Sequence, residues 1–265
     1  MRILIKGAGD LATGVAVRLH KAGFSIFMTD LIYPTAVRRT VSFSEAIPEG
    51  IQTVEGIRAR RAEDAEDALR ITAEGDIPVI ADPGAYCLPA LKPAALVDAI
   101  LAKHNTGTSI HDAPVVVSLG PGFTAGEDCH AVVETMRGHN LGRVILEGSA
   151  CPNTGVPGEI GGYTVERLLR APADGSFHPL VNIGDVVSAG DRVAEVSGQP
   201  VLAQISGVVR GLLREGTPVH TGMKSGDIDP RCKVRHCFSV SDKARAIGGG
   251  VLEAILTLGG YLYGT

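Results

Sequence analysis

Residues 1–30 read MRILIKGAGDLATGVAVRLHKAGFSIFMTD, and this stretch decides the fold. A short apolar strand runs into a glycine turn, the turn opens a helix that reaches about Lys21, and a second strand ends on Asp30. Gly7 permits the tight turn, and Gly9 lets the backbone approach a phosphate. Ala12 takes the third small position, where a bulky side chain would force helix and strand apart. Bare N–H groups at the start of the helix favour an anion. Asp30 follows Gly9 by 21 residues, close to where a ribose-binding acid belongs. Asp10 lies inside the turn, where its charge would sit beside bound phosphates; its other use is as N-cap of the helix. The alternative to a dinucleotide site is a βαβ unit whose glycines serve only packing.

Outward from this unit the alternation continues. Pro34 suits the first turn of a helix, and Arg38 and Arg39 stand where an arginine can reach a ribose phosphate. Residues 51–61 alternate as a strand, and residues 62–73 are rich in helix formers with acids in the first turns. Residues 78–84 form a buried strand ending on Asp82, at the carboxyl end where ligands gather in open α/β sheets. Residues 91–103 carry the alternation on, and 115–119 (VVVSL) form a buried strand. The turn Gly120-Pro-Gly122 follows it with one exposed aromatic, Phe123, shaping a site wall. His130 and Glu134 share a face whether their segment is helix or strand, a pairing that suits metal binding or proton relay.

Past Leu146 the chain turns rich in Gly and Pro, which reads as a long loop. Cys151 lies in it, a loop thiol available to carry sulfur. From Val165 the period shortens to strands, with a hairpin signal at Asp174-Gly175. The pattern G-D-x-V-x-x-G-x-x-V followed by I-x-G-V-V-x-G is similar to the barrel-sandwich hybrid of biotinyl and lipoyl carriers. Residues 195–201, where the carriers keep their lysine, hold none, so a swinging arm is disfavoured. Asp227 and Asp229 have two uses, holding a hard cation or pairing with Arg231. Cys232, His236 and Cys237 fall short of the four ligands of a structural zinc site. Ser241 caps a helix that Gly248-Gly-Gly250 should break, unless they admit another backbone or form a second anion-binding turn.

Composition narrows the function classes. The 265-residue chain has 34 glycines, no Trp, 4% aromatics and a net charge of −4. Stacking platforms and a basic footprint for nucleic acid are therefore absent. No apolar run is long enough to span a bilayer, and no signal peptide is read at the start, so a cytoplasmic protein without membrane contact is expected. The five cysteines are odd in number and scattered, unlike a disulfide framework.

The runs GAGDLATGVAVRL (7–19), RRTVSFSEA (38–46), LGPGFTAG (119–126), ETMRGHNLGRVI (134–145), GDIDPR (226–231) and SDKARAIGGGVLEA (241–254) resemble the YqeB-type proteins of the selenium-dependent molybdenum hydroxylase system. The glycine turn also resembles that of XdhC-type accessory proteins. The resemblance implies a maturation role for a molybdenum hydroxylase carrying labile selenium, and names a pathway rather than a reaction.

The expected architecture is α/β: a Rossmann-like parallel-sheet domain (1–162), a smaller barrel-sandwich-hybrid β domain (163–238), and a C-terminal helical segment (239–265) returning to the first. The expected function is an accessory protein binding a nucleotide-bearing ligand, with molybdopterin dinucleotide and NAD(P) as candidate cofactors. Gly7, Gly9, Asp10, Ala12, Asp30, Arg38, Arg39, Asp82, Gly120 and Gly122 are the candidate binding residues. The partner is the hydroxylase apoenzyme or its maturation machinery, and homo-oligomers remain open. The alternatives are a selenium or sulfur transferase acting through Cys151 or Cys237, and an NAD-dependent oxidoreductase using His130 and Glu134.

Overall fold

The computed structural model describes residues 1–260; residues 261–265 of the expected C-terminal segment lie outside the described residues. The chain divides into two units. The first comprises Met1–Pro34, Ser42–Thr154 and Val240–Thr265, and the second Thr35–Val41 and Gly155–Ser239. Residues 35–41 and 155–162, assigned above to the first domain, thus group with the second.

Unit 1 is built on a nine-stranded sheet. Its members are β1 (Arg2–Lys6), β2 (Ser25–Thr29), β3 (Ile51–Val54), β4 (Ile57–Ala62), β5 (Ile77–Ile80), β6 (Ala95–Asp98) and β7 (Val115–Leu119). After the short β8 (Thr124–Ala125) come β9 (Ala131–Val133) and β10 (Val144–Ile145), and β11 (Gly148–Ser149) pairs with β8 apart from the main sheet. The order is β10-β9-β7-β6-β1-β2-β5-β4-β3. The central strands β4, β5, β2, β1, β6, β7 and β9 run parallel, and both edges are antiparallel, β3 on β4 and β10 on β9. The inner strands read as continuous apolar runs because both faces are buried, as in β7, where all five residues are buried.

The helices are α1 (Asp10–Lys21), the short α2 (Ala46–Glu49), α3 (Ala65–Ala73), the short α4 (Leu88–Leu91) and α5 (Asp242–Leu258). Asp64 caps α3 by accepting from the Asp67 amide, and Ser241 caps α5 by accepting from the Ala244 amide, each satisfying one orphan donor of its helix. The three glycines do not break α5. Instead, a Cβ at Gly248 would stand 3.0 Å from the Gly14 carbonyl oxygen of α1, and one at Gly250 would overlap the carbonyl oxygen of Gly142. Two backbones press onto the helix where it lacks side chains.

Unit 2 holds two four-stranded antiparallel sheets. One, in the order β12-β19-β17-β14, uses Leu168–Arg170 (β12), Val186–Val187 (β14), Gly207–Leu212 (β17) and Lys224–Asp229 (β19). The other, β16-β15-β13-β18, uses Gly175–Pro179 (β13), Arg192–Val196 (β15), Gln199–Leu202 (β16) and Pro218–Val219 (β18). Phe177, Val193, Val209, Leu212, Leu213 and Ile228 belong to its apolar core.

This topology corrects the expected fold class, a Rossmann-like parallel sheet joined to a barrel-sandwich hybrid. The large sheet is mixed, and the β region forms two antiparallel sheets to which 35–41 adds a segment. Local pattern found the first βαβ unit but not the pairing partners of distant strands, which set the class. Three local expectations also change. Residues 51–61 are a hairpin, not one strand, because Glu55 (φ 48°) and Gly56 (φ 79°) turn in the left-handed region, as a tight hairpin turn demands. No helix starts at Pro34. Phe123 is not exposed but packs in the core of unit 1.

Candidate functional site

At the amino-terminal turn the three glycines play different parts. Gly7 has φ 94°, and a Cβ there would stand 2.8 Å from the Ala99 carbonyl oxygen beyond β6; only glycine fits. A Cβ at Gly14 would stand 2.5 Å from the Ala244 Cβ of α5. At Gly9 nothing lies within 4 Å of a Cβ, so this residue alone of the three faces open space. Gly9 is also the N-cap of α1. Asp10 is therefore not the cap but the first helical residue, where its charge complements the helix dipole. Ala12 is buried.

The acid expected to bind a ribose is engaged by the turn itself. One oxygen of Asp30 accepts from the Ala8 amide at 2.7 Å and the other from the Leu31 amide at 2.7 Å. Burial pushes the Asp30 pKa up, against the pull of those two amides. Beneath the turn, where β1 and β6 separate the two directions of chain winding, the space is filled. Lys6 Nζ donates to Thr108 Oγ1 at 2.6 Å, that hydroxyl donates to Asp98 Oδ2 at 2.6 Å, and the Lys6–Asp98 pair closes at 3.8 Å.

The other candidates are dispersed. Asp82 accepts from the Cys87 amide at 2.8 Å, and the Cys87 thiol is pushed up to about 12, first by burial and then by Asp82. Arg38 and Arg39 belong to unit 2. There Arg38 donates to the carbonyls of His236 and Ser239, and Arg39 to that of Leu212 at 2.8 Å. Gly120 and Gly122 have positive φ, and a Cβ would stand 2.5 Å from Thr135 Oγ1 and 2.6 Å from the His104 backbone, respectively. Both are packing positions.

His130 and Glu134 do not form a pair. They bracket β9, one before it and one after, so their spacing of four spans about 13 Å of extended chain. The His130 ring accepts from the Val116 amide at 3.0 Å. Glu134, at the carboxyl end of β9, has instead met Cys151. Its Oε1 accepts from the Met136 amide at 2.7 Å and its Oε2 from the Cys151 amide at 2.8 Å. Glu134 is only 2% exposed. Burial disfavours its charge, but the amides of Cys151, Met136 and Thr135 outweigh it and hold its pKa below the ordinary value. A buried carboxylate thus stays ionised beside an exposed thiol. Its hydrogen bond and charge push the Cys151 thiol up. Cys237, the other sulfur candidate, is buried with its Sγ 3.7 Å from the Val209 carbonyl oxygen, and burial raises its pKa. No sequence signal joined Glu134 to Cys151, because the link is made by a fold in the loop between them.

The thiol's environment sets a pH dependence. Iodoacetamide attacks the thiolate, so alkylation of wild-type Cys151 should require a pH above that of an ordinary thiol. Glu134→Gln removes the carboxylate charge, and the alkylation profile of Cys151 should move to lower pH. An unmoved profile would show that Glu134 does not govern the thiol.

Unit 2 contains a buried ionic cluster. Asp229 pairs with Arg231 at 2.6 Å, the local bridge expected from sequence, and Asp227 pairs with Arg167 at 2.6 Å, a contact the sequence did not suggest. Arg210 lies 3.8 Å from Asp227 and 3.9 Å from Asp229. Both carboxylates are engaged by guanidinium groups, as buried charge requires. Among the described residues, no group of three or more His, Cys, Asp or Glu could hold a metal ion, and no helix is long and apolar enough to cross a membrane.

Comparison with known proteins gives one curated relative. The chain is 53% identical over 256 residues to a protein of Escherichia coli K12 named "Uncharacterized protein YqeB", covering 97% of this chain and 47% of that protein. It therefore spans about half the length of the relative it matches. No protein-family model matches the chain. Among solved structures, an aspartoacylase family protein of Mesorhizobium loti is 14% identical, covering 86% of this chain and 84% of that one, with a TM-score of 0.28. A succinylglutamate desuccinylase of a Silicibacter species is 15% identical, covering 86% and 84%, with a TM-score of 0.25. Superpositions this poor define neither fold nor chemistry for this chain.

Proposed function

We propose, with the likeness to YqeB over about half that protein's length as the premise, that this chain is an accessory protein in the maturation of a selenium-dependent molybdenum hydroxylase. In this reading it carries selenium or sulfur on Cys151. The pathway comes from the sequence resemblance. The observation that supports the chemistry is the meeting of the exposed Cys151 thiol with the buried, ionised carboxylate of Glu134.

The step needs a perselenide or persulfide donor. The Cys151 sulfur attacks the donor's outer selenium or sulfur, and a new bond forms between them. The donor's own sulfur–chalcogen bond breaks, and its electron pair leaves on the donor thiolate. The Cys151 proton passes by way of Glu134 to that thiolate, so no net oxidation occurs. The raised thiol pKa keeps Cys151 protonated at rest. The carboxylate that would accept the proton is already held beside Cys151, its Oε2 accepting from the Cys151 backbone amide at 2.8 Å.

Incubation of the full chain with glutathione persulfide or its selenium analogue, followed by mass spectrometry, tests this. Wild type should gain one sulfur or selenium atom on Cys151, and Cys151→Ser should gain none. Loading on Cys232 instead, or equal loading of Cys151→Ser, would end the proposal.

A second reading is favoured by the open space at Gly9. In it, a nucleotide-bearing ligand, molybdopterin dinucleotide or NAD(P), sets a phosphate against the start of α1. Gly9→Val should change stability by no more than about 1 kcal/mol, because its Cβ meets nothing, yet abolish binding. Calorimetric titration with NAD and NADP checks it. Saturable binding that survives Gly9→Val, or none by wild type, counts against this reading.

A further inference from the structure

The amino ends of three adjacent parallel strands, β6, β7 and β9, border an open surface depression of about 660 Å³. Its lining mixes apolar and polar groups: Leu88, Pro89, Pro93, Ile110 and Pro114 supply the apolar part, and the prolines bring no N–H to it. Three nitrogen-bearing side chains also line it: Lys92, His111 and His130. The one acid there, Asp112, is turned to its own loop, where it accepts from the Ser109 amide at 2.9 Å.

His130 is a fixed donor. Its Nδ1 accepts from the Val116 amide at 3.0 Å, so that nitrogen carries no proton, and the neutral ring must carry its proton on Nε2. Lys92 stands in the left-handed region, with φ 44° and ψ 61°, at the end of α4. Glycine would adopt that conformation more readily. The depression therefore offers hydrogen-bond donors and a positive charge beside apolar side chains.

We propose that this open depression binds a small organic anion, its carboxylate or phosphate head held by Lys92, His111 and His130 and its apolar part laid against the prolines and Leu88. The site is at the opposite end of the strands from Glu134 and Cys151, and does not rest on the chemistry proposed there. The test follows the histidine ring resonances of the full chain by NMR during titration with benzoate, phenyl phosphate and neutral benzamide. Saturable shifts of His130 and His111 are expected with the anions and not with benzamide, and the tighter of the two anions identifies the head group. Lys92→Gln should weaken anion binding about tenfold or more, the loss of one charged hydrogen bond. Gly9→Val should leave it unchanged. Equal response to benzamide, no saturable shift with either anion, or unchanged affinity in Lys92→Gln would overturn the proposal.

Discussion

Gly250→Ala should destabilise unit 1 by about 3 kcal/mol or more, because overpacking against rigid backbone cannot be relieved by a rotamer change. Its new methyl would overlap the Gly142 carbonyl oxygen and stand 2.9 Å from Val133. That drop corresponds to a melting midpoint roughly 10 °C lower. The neighbouring glycine supplies the control. At Gly249 nothing lies within 4 Å of a Cβ, so Gly249→Ala should stabilise the same helix by about 1 kcal/mol through helix propensity alone. Thermal unfolding of the two variants should therefore move in opposite directions. Equal shifts would show that α5 does not pack backbone to backbone at Gly142.

A second large effect is expected beneath the amino-terminal turn. Asp98→Ala should destabilise by about 3–5 kcal/mol, because it leaves Lys6 buried without its counter-charge. The side chains of Lys6 and Asp98 are 6% and 1% exposed. Replacing both, Lys6→Met with Asp98→Leu, should restore most of that stability, since apolar groups of similar volume do not need each other's charge. Chemical denaturation of the single and double variants checks the coupling. Additive losses would show that the two side chains contribute independently.

These two cases show which parts of the molecule were legible in the sequence. The β1–α1–β2 unit was readable because strand, turn and helix are local. Its glycine turn, the buried strand at 115–119 and the cap at Ser241 all declare themselves within a few residues. The pairing of Asp229 with Arg231 was also local. What escaped was made at long range. Nothing near Lys6 announces Thr108 and Asp98, and nothing near Glu134 announces Cys151. The glycines at 248–250 read either as a helix break or as a place where another backbone presses close. The second is what forms, and the sequence did not show that the Gly14 and Gly142 backbones are the ones that fill it.

The binding candidates divide the same way. Glycine at 7, 9, 120 and 122 signals a backbone that must turn or be approached, but not by what. In the structure Ala99 approaches Gly7, Thr135 approaches Gly120 and the His104 backbone approaches Gly122, while Gly9 is open. Asp30 was placed correctly at the end of β2, yet the sequence could not show that its carboxylate reaches back to the Ala8 amide. His130 and Glu134 have the spacing of a functional pair and are held apart by the strand they flank.

The central claim is that Glu134 takes the proton from Cys151 as a chalcogen atom is transferred to the sulfur. It is tested most directly by the rate at which Cys151 is loaded from a persulfide donor in wild type and in Glu134→Gln at neutral pH. The account predicts slower loading in Glu134→Gln even though its thiol, freed of the neighbouring charge, ionises more easily. Loading as fast as wild type, or faster, would contradict it.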